Sequence, residues 1–342
     1  MMRPLLLNRN LNLNLTLLLA LTLFLSAPLL SQRSTLYVSV VATKLFVVGA
    51  ANPQTGVFYR YTAGDSAWEH TGAVNIRAFG VAVPPNDSGK TIYVASGNGV
   101  HKSTDGGSSW KITTGWNITE VLGVAPDPHD FRTVYCATAY GVFKSTDGCA
   151  TWNEMNAGLQ EKFVTCVLPD RFTRGRVYCA TEGGLYESSN GGIRWTHSAL
   201  SVPGVRVVAQ HPTNPSVLIA GTEEFGVYVS RNGGKSWDRS EAGMDHPTFY
   251  AVTFDPNHPD TVYAGGYITG VYRSTDGARS WMRINDGLTQ LNIHAIAVDP
   301  TDGRRVFAGT MWGGVFESYD GEPWRCIGLE GSEVWSMVIQ PF

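Results

Sequence analysis

Basic clusters are missing from this chain. Its 342 residues carry 26 lysines and arginines against 29 aspartates and glutamates, a net charge of −3. Without residues 1–30, which hold Arg3 and Arg9 and no acid, the balance is −5. Nucleic acid and anionic lipid are therefore poor candidate partners. Cysteine is scarce too. Cys136, Cys149, Cys166, Cys179 and Cys326 are odd in number and irregular in spacing, which argues against a disulfide framework, and no pair is spaced like zinc ligands. Long apolar runs come down to one, Leu15–Leu30, behind Arg3 and Arg9. It is short for a bilayer span and long enough for the core of an export signal. Pro28 spoils a cut after Ala27, and no cysteine follows the run to carry a lipid. Residues 1–31 thus read as a signal peptide or an N-terminal anchor, and a membrane partner is expected only in the second case. Either reading puts the remainder outside the cytoplasm, whether secreted, periplasmic or held at the surface.

Glycine and tryptophan are plentiful, at 38 and 10, and one stretch organises them. Ser103–Trp110 (STDGGSSW) returns as Ser145–Trp152 (STDGCATW), Ser188–Trp195 (SSNGGIRW), Ser230–Trp237 (SRNGGKSW), Ser274–Trp281 (STDGARSW) and, one residue shorter, Ser318–Trp324 (SYDGEPW). A worn copy ends at Trp68. From there the tryptophans step by 42, 42, 43, 42, 44 and 43 residues. A fixed period in this range means one supersecondary unit used repeatedly.

Each unit holds four short β-branched and aromatic runs between Gly, Asn, Asp and Pro turns, the signature of strands. In the second unit these are Arg77–Pro84, Thr91–Ala95, Gly99–Ser103 and Trp110–Thr113, here called strands A to D. Most A strands stop at a proline, as at Pro128, Pro212, Pro256 and Pro300, where a missing N–H and a fixed φ end the ladder. Cys136 and Cys179 occupy the same place in successive B strands (VYCAT), where other copies have Ala or Val, so both read as small buried hydrophobes. Whether Cys166 and Cys179 pair is open; Cys149 replaces a loop glycine and is expected to expose its thiol.

Four strands repeated seven times describe an all-β fold, a seven-bladed β-propeller of four-stranded antiparallel blades. The first unit lacks an A strand, and Glu333–Pro341 is an A strand with nothing after it. The expected closure therefore puts the C-terminal strand in the first blade, beside a hairpin near Leu45–Tyr61. The propeller then spans 44–342, with 32–43 a linker. Ser34–Val41 competes for the innermost slot but has no proline turn.

In the repeated turn, Ser103 and Asp105 can bond backbone groups that lack ladder partners, Gly106 supplies a positive φ, and Trp110 packs against a neighbouring strand. The same scaffold roles fall to Ser145, Asp147, Gly148 and Trp152, to Ser188, Asn190, Gly191 and Trp195, and to Ser230, Asn232, Gly233 and Trp237. Ser274, Asp276, Gly277 and Trp281, then Ser318, Asp320, Gly321 and Trp324, complete the set. Asn190 and Asn232 keep the acceptor oxygen and drop the charge, which suits a scaffold better than catalysis. Each turn offers at most one carboxylate, too few for calcium. No metal or cofactor is expected.

The Ser-x-Asp-x-Gly-x-x-Trp turn resembles the Asp-box, or BNR, repeat of bacterial-neuraminidase-type propellers, over about residues 44 to 342. Sialidases, two-propeller xyloglucan-cleaving hydrolases, sortilin-type receptors, the photosystem II assembly factor family and many exported bacterial propellers carry it. The resemblance implies that the boxes sit on C–D turns, away from the functional face, which D–A and B–C loops would line. It transfers no catalytic residue. The Arg-Ile-Pro signature of sialidases is absent, with Asn75-Ile76-Arg77 followed by Ala.

On that opposite face, aligned A strands give a small residue at Gly80, Gly123, Cys166, Val207, Ala251, Ala295 and Ser336. The residue before it is unlike in every copy: Phe79, Leu122, Thr165, Arg206, Tyr250, His294 and Trp335. Scaffold demands act alike on equivalent positions, so this variety points to a surface with another task. Arg206, Tyr250, His294 and Trp335, with Tyr267 and Trp312 from B–C loops, are the candidate ligand-binding residues. A glycan or protein partner suits them. An enzyme reading needs two cooperating acids, and Glu182 with Glu223 or Glu224 are the candidates for a glycoside hydrolase. The expected function is a non-catalytic, monomeric binding or assembly scaffold, with hydrolysis as the alternative.

Overall fold

The computed structural model describes residues 34–44, 54–62, 64, 67–72, 76–85 and 87–341. The expected signal or anchor at 1–31 lies outside them, as does Leu45–Gly49. Among the described residues there is no helix, and 28 strands form seven four-stranded antiparallel sheets, the blades of a seven-bladed β-propeller. In blades two to seven the strands pair in chain order. Blade four, for instance, runs Val164–Pro169, Val177–Thr181, Gly184–Ser188, Thr196–His197.

Blade one closes the ring, and it corrects one expectation. Its order is Ser332–Pro341, Ser34–Thr43, Gly56–Tyr61, Glu69–His70. The C-terminal strand takes the innermost slot, as the orphan A strand requires. Ser34–Thr43, expected within a linker, is instead strand B, with Leu36 opposite Ile339 on one side and Arg60 on the other. A B strand needs no proline turn. Leu36, Val38 and Val40 are fully buried with Val334 of the same blade against Phe307 and Val315 of blade seven.

No single core exists. Each of the seven apolar clusters is a wedge between two neighbouring blades, such as Tyr135, Ala137 and Val142 of blade three against Val167, Cys179 and Trp195 of blade four. Several of the box tryptophans fasten these wedges by hydrogen bonds, although the Nε1 atoms of Trp152 and Trp237 do not. Trp110 Nε1 donates to the Thr71 carbonyl of the preceding blade at 2.6 Å, Trp195 to Met155 at 2.6 Å, and Trp324 to Ile284 at 2.6 Å. Trp68 reaches Ile327 at 2.7 Å, across the closure. A second, unanticipated fastening runs alongside: Lys102 Nζ donates to the Gly148 carbonyl of the next box and Lys144 Nζ to Gly191, each at 2.9 Å, over the rings of Tyr93 and Tyr135.

Inside a box the serine is buried and does the most. Ser145 Oγ donates to Asp147 Oδ1 at 2.8 Å and accepts the Cys149 N–H at 2.8 Å; Asp147 accepts from the N–H groups of Ala150 and Thr151. Asn190 and Asn232 keep these bonds through Oδ1, accepting from the Arg194 and Ser236 N–H groups at 3.0 and 2.9 Å. These bonds pull the turn inward, so Cys149 is buried rather than exposed. Cys166 and Cys179 are both free thiols: Cys166 lies opposite Ala180 and Cys179 opposite Val167, a one-residue offset that points them to opposite faces of the sheet.

Candidate functional site

The unlike position is a β-bulge in all seven blades. Ladder pairing jumps from Ala78 to Gly80, Val121 to Gly123, Val164 to Cys166, Val205 to Val207, Phe249 to Ala251 and Ile293 to Ala295. In blade one Val334 and Ser336 pair with consecutive residues Val40 and Ser39. The residue skipped each time is Phe79, Leu122, Thr165, Arg206, Tyr250, His294 or Trp335. An extra residue has no ladder partner and is re-aimed by the kink. All seven line one cavity of about 540 Å³ on the axis, at the D–A and B–C end of the ring. The small residue that follows keeps the ring tight: a Cβ on Gly80 would lie 3.4 Å from the Leu122 carbonyl of the next blade.

The ring is two-faced. Tyr250, His294, Trp335 and Phe79, from four consecutive blades, form an aromatic arc with successive centroid separations of 5.0, 5.1 and 5.2 Å. Burial holds the His294 imidazole down to a pKa of about 4, so the arc is uncharged at neutral pH. Opposite stand Thr165, whose hydroxyl donates to the Arg206 carbonyl at 2.8 Å, and Arg206 itself. Arg206 Nη1 donates to Glu182 Oε1 at 2.8 Å, and Nη2 bonds Glu223. Deeper in, Val81, Val124, Val167, Val252, Ile296 and Met337 make an apolar wall.

Arg206, Tyr250, His294 and Trp335 are thus brought together in the cavity. Tyr267 and Trp312 are not among its lining; they stand at the B–C turns around it. Of the acids, Glu223 lines the cavity, Glu182 joins it through Arg206, and Glu224 sits in the blade-five turn. Three consecutive turns hold a bulky residue at positive φ: Glu224 at 69°, Ile268 at 59° and Trp312 at 71°. For a β-branched or bulky side chain this backbone is strained. The next blade holds each one, since their N–H groups donate to Thr248 Oγ1, Asn292 Oδ1 and the Ser332 carbonyl. Among the described residues, no three His, Cys, Asp or Glu side chains gather closely enough to hold a metal ion.

Residues 140–266 match the family model described as "Sortilin, neurotensin receptor 3". No curated protein matches the chain. Among solved structures, an ancestral GH74 enzyme is 26% identical with a TM-score of 0.56, over 63% of this chain and 32% of that one. The GH74 xyloglucanase from Xanthomonas campestris is 18% identical with a TM-score of 0.62, over 87% and 52%. YCF48 bound to D1 peptide is 13% identical with a TM-score of 0.57, over 72% and 81%. The chain spans about half the length of these GH74 enzymes or less. The family-model match, the seven blades and the boxes make this chain a propeller of the BNR type.

Proposed function

We propose that the chain is a non-catalytic propeller that works outside the cytoplasm as a binding or assembly scaffold, holding a glycan or protein partner at the face opposite the boxes. One observation carries this reading: seven equivalent bulge positions hold seven unlike side chains that converge on one cavity. A purely structural channel would ask the same of each blade. A propeller of the same fold holds a peptide in YCF48, which supports capture as one use of the architecture. Tyr250→Ala and Trp312→Ala are expected each to weaken partner binding by roughly 1–4 kcal/mol without unfolding the protein. Hydrogen exchange with the partner bound should slow at the loops around Tyr267 and Trp312; protection confined to the box turns would show that the wrong face was chosen.

The competing reading, a glycoside hydrolase, draws on the fold shared with xyloglucanases and on the two carboxylates beside the cavity. Both are already engaged by one guanidinium, which ties up the oxygens that an acid–base pair would use. A screen of chromogenic glycosides and plant or bacterial polysaccharides separates the two. Sustained release of reducing sugar, lost in Glu182→Gln and Glu223→Gln, would overturn the non-catalytic reading.

A further inference from the structure

The loops around the cavity combine two features. They expose large apolar side chains: Trp116 at 95%, Tyr140 at 56% and Tyr267 at 48%, with Phe163, Phe225 and Ile268 beside them. These side chains come from blades three to six and share no covalent turn motif, yet all stand on the same end of the ring. Contiguous exposed apolar surface rimmed by polar groups marks an interaction site. The same loops are also acidic. Glu120, Glu161, Glu182, Glu223, Glu224 and Glu330 have Lys44, Arg77, Lys162 and Arg206 against them, and Arg206 is bound by two of those glutamates.

The polar side chains that would read sugar hydroxyls are largely committed to the scaffold. Asn156 Oδ1 accepts the Val142 N–H and its Nδ2 donates to the Tyr140 carbonyl. Asn285 does the same for Val271 and Thr269, Asn292 accepts from Ile268, and Gln290 accepts from Leu291 and Asn292. Facing outward are aromatic rings and an excess of carboxylates, with Lys44 over the Trp312 ring, Arg77 and Lys162 as exposed cations among them. An aromatic face attracts an ammonium or guanidinium, and a carboxylate pairs with it. Below them the cavity presents an apolar wall and an uncharged aromatic arc, fitted to a large apolar group.

We propose that this mouth docks a basic, extended segment of a partner protein. One large apolar side chain enters the cavity between the aromatic arc and Arg206, while flanking lysines or arginines meet the acidic, aromatic rim. The inference rests on the binding reading above and names the class of its partner.

The test uses the full-length protein and synthetic peptides of about twelve residues. One set places Trp, Phe or Leu between lysines and arginines; matched sets replace the basic residues by glutamate, or the central residue by serine; a panel of oligosaccharides runs alongside. The basic–apolar peptides should bind, weaken by about tenfold or more on the central serine substitution, and weaken again as ionic strength rises. Glu120→Lys, Glu224→Lys and Tyr267→Ser lie on exposed or half-exposed loops and should each reduce binding while the melting curve stays in place. Equal or better binding of the acidic peptides, affinity indifferent to salt, or no binding of the basic–apolar set would overturn the proposal. Oligosaccharide binding lost in Tyr250→Ala would overturn it too and leave the scaffold reading standing. Peptide binding that protects the box turns alone would overturn both.

Discussion

His294 carries the clearest consequence at the scale of the single residue. Its ring lies between Tyr250 and Trp335, and burial lowers its pKa from 6.5 to about 4. Between those values the unfolded chain takes up a proton that the folded chain refuses, so stability falls as pH drops through that window and levels off below it. His294→Phe should remove this slope, a difference reaching up to about 3 kcal/mol near pH 4. Denaturant melts from pH 7 to 4 measure it, and parallel slopes in the two proteins would sink the argument. Asp105 is shifted in the same direction by the opposite kind of cause, hydrogen bonds to its charged form in place of burial, and in a lower window. Hydrogen bonds from Ser109 and Ser103 hold its carboxyl at about 2, so its contribution is present at neutral pH and is lost as pH falls through that value. Of these two residues, the sequence displayed the role of Asp105 and hid that of His294. Asp105 recurs in a motif whose every neighbour has a backbone duty. His294 appears once, and its environment is assembled from three blades.

At the scale of the element, the box turn is fixed by its serine. Ser145 is fully buried, and its Oγ is the acceptor for the Cys149 N–H. Ser145→Ala would strand that donor away from water and should cost about 1–3 kcal/mol, read as a shift in the denaturation midpoint. An unchanged midpoint would show that the turn has another partner available. Turn chemistry of this kind was legible because short polar side chains and positive-φ glycines announce it. The bulge was half legible. Unlike residues at equivalent places betrayed the position, but a register jump in the ladder has no composition of its own. The strand at Ser34–Thr43 was misplaced for a related reason: alternation and β-branching identify a strand and say nothing about which slot of a blade it fills. Exposed apolar rim residues such as Trp116 and Phe225 were not legible because no repeated residue type marks their positions in the D–A and B–C loops.

For the molecule as a whole, stability resides in the ring. Seven wedges each need both neighbouring blades, so an open ring loses the wedge between blades seven and one, where Leu36, Val38, Phe307 and Val334 meet. Deleting residues 332–342 removes the innermost strand of blade one and exposes that wedge. Such a protein is expected to melt at markedly lower temperature or to aggregate, while Trp68→Phe, which gives up the bond to Ile327 and part of the ring packed in the wedge, should fall in between. Calorimetry on the three proteins ranks them, and a truncation as stable as the parent would mean that closure contributes little. The same joint sets a schedule. Ser39 and Ser336 meet across 297 residues, so the pairing that completes the circle joins segments near opposite ends of the ring's sequence and carries a large loop-closure entropy. While the chain emerges from a ribosome, blades two to six can assemble in order behind one another, but blade one waits, lacking its central strand until the last residues appear. Throughout synthesis the strand at Ser34–Thr43 offers an unpaired edge to whatever else is near. The hazard ends only when the strand at Ser332–Pro341 docks on that edge and acts as the latch.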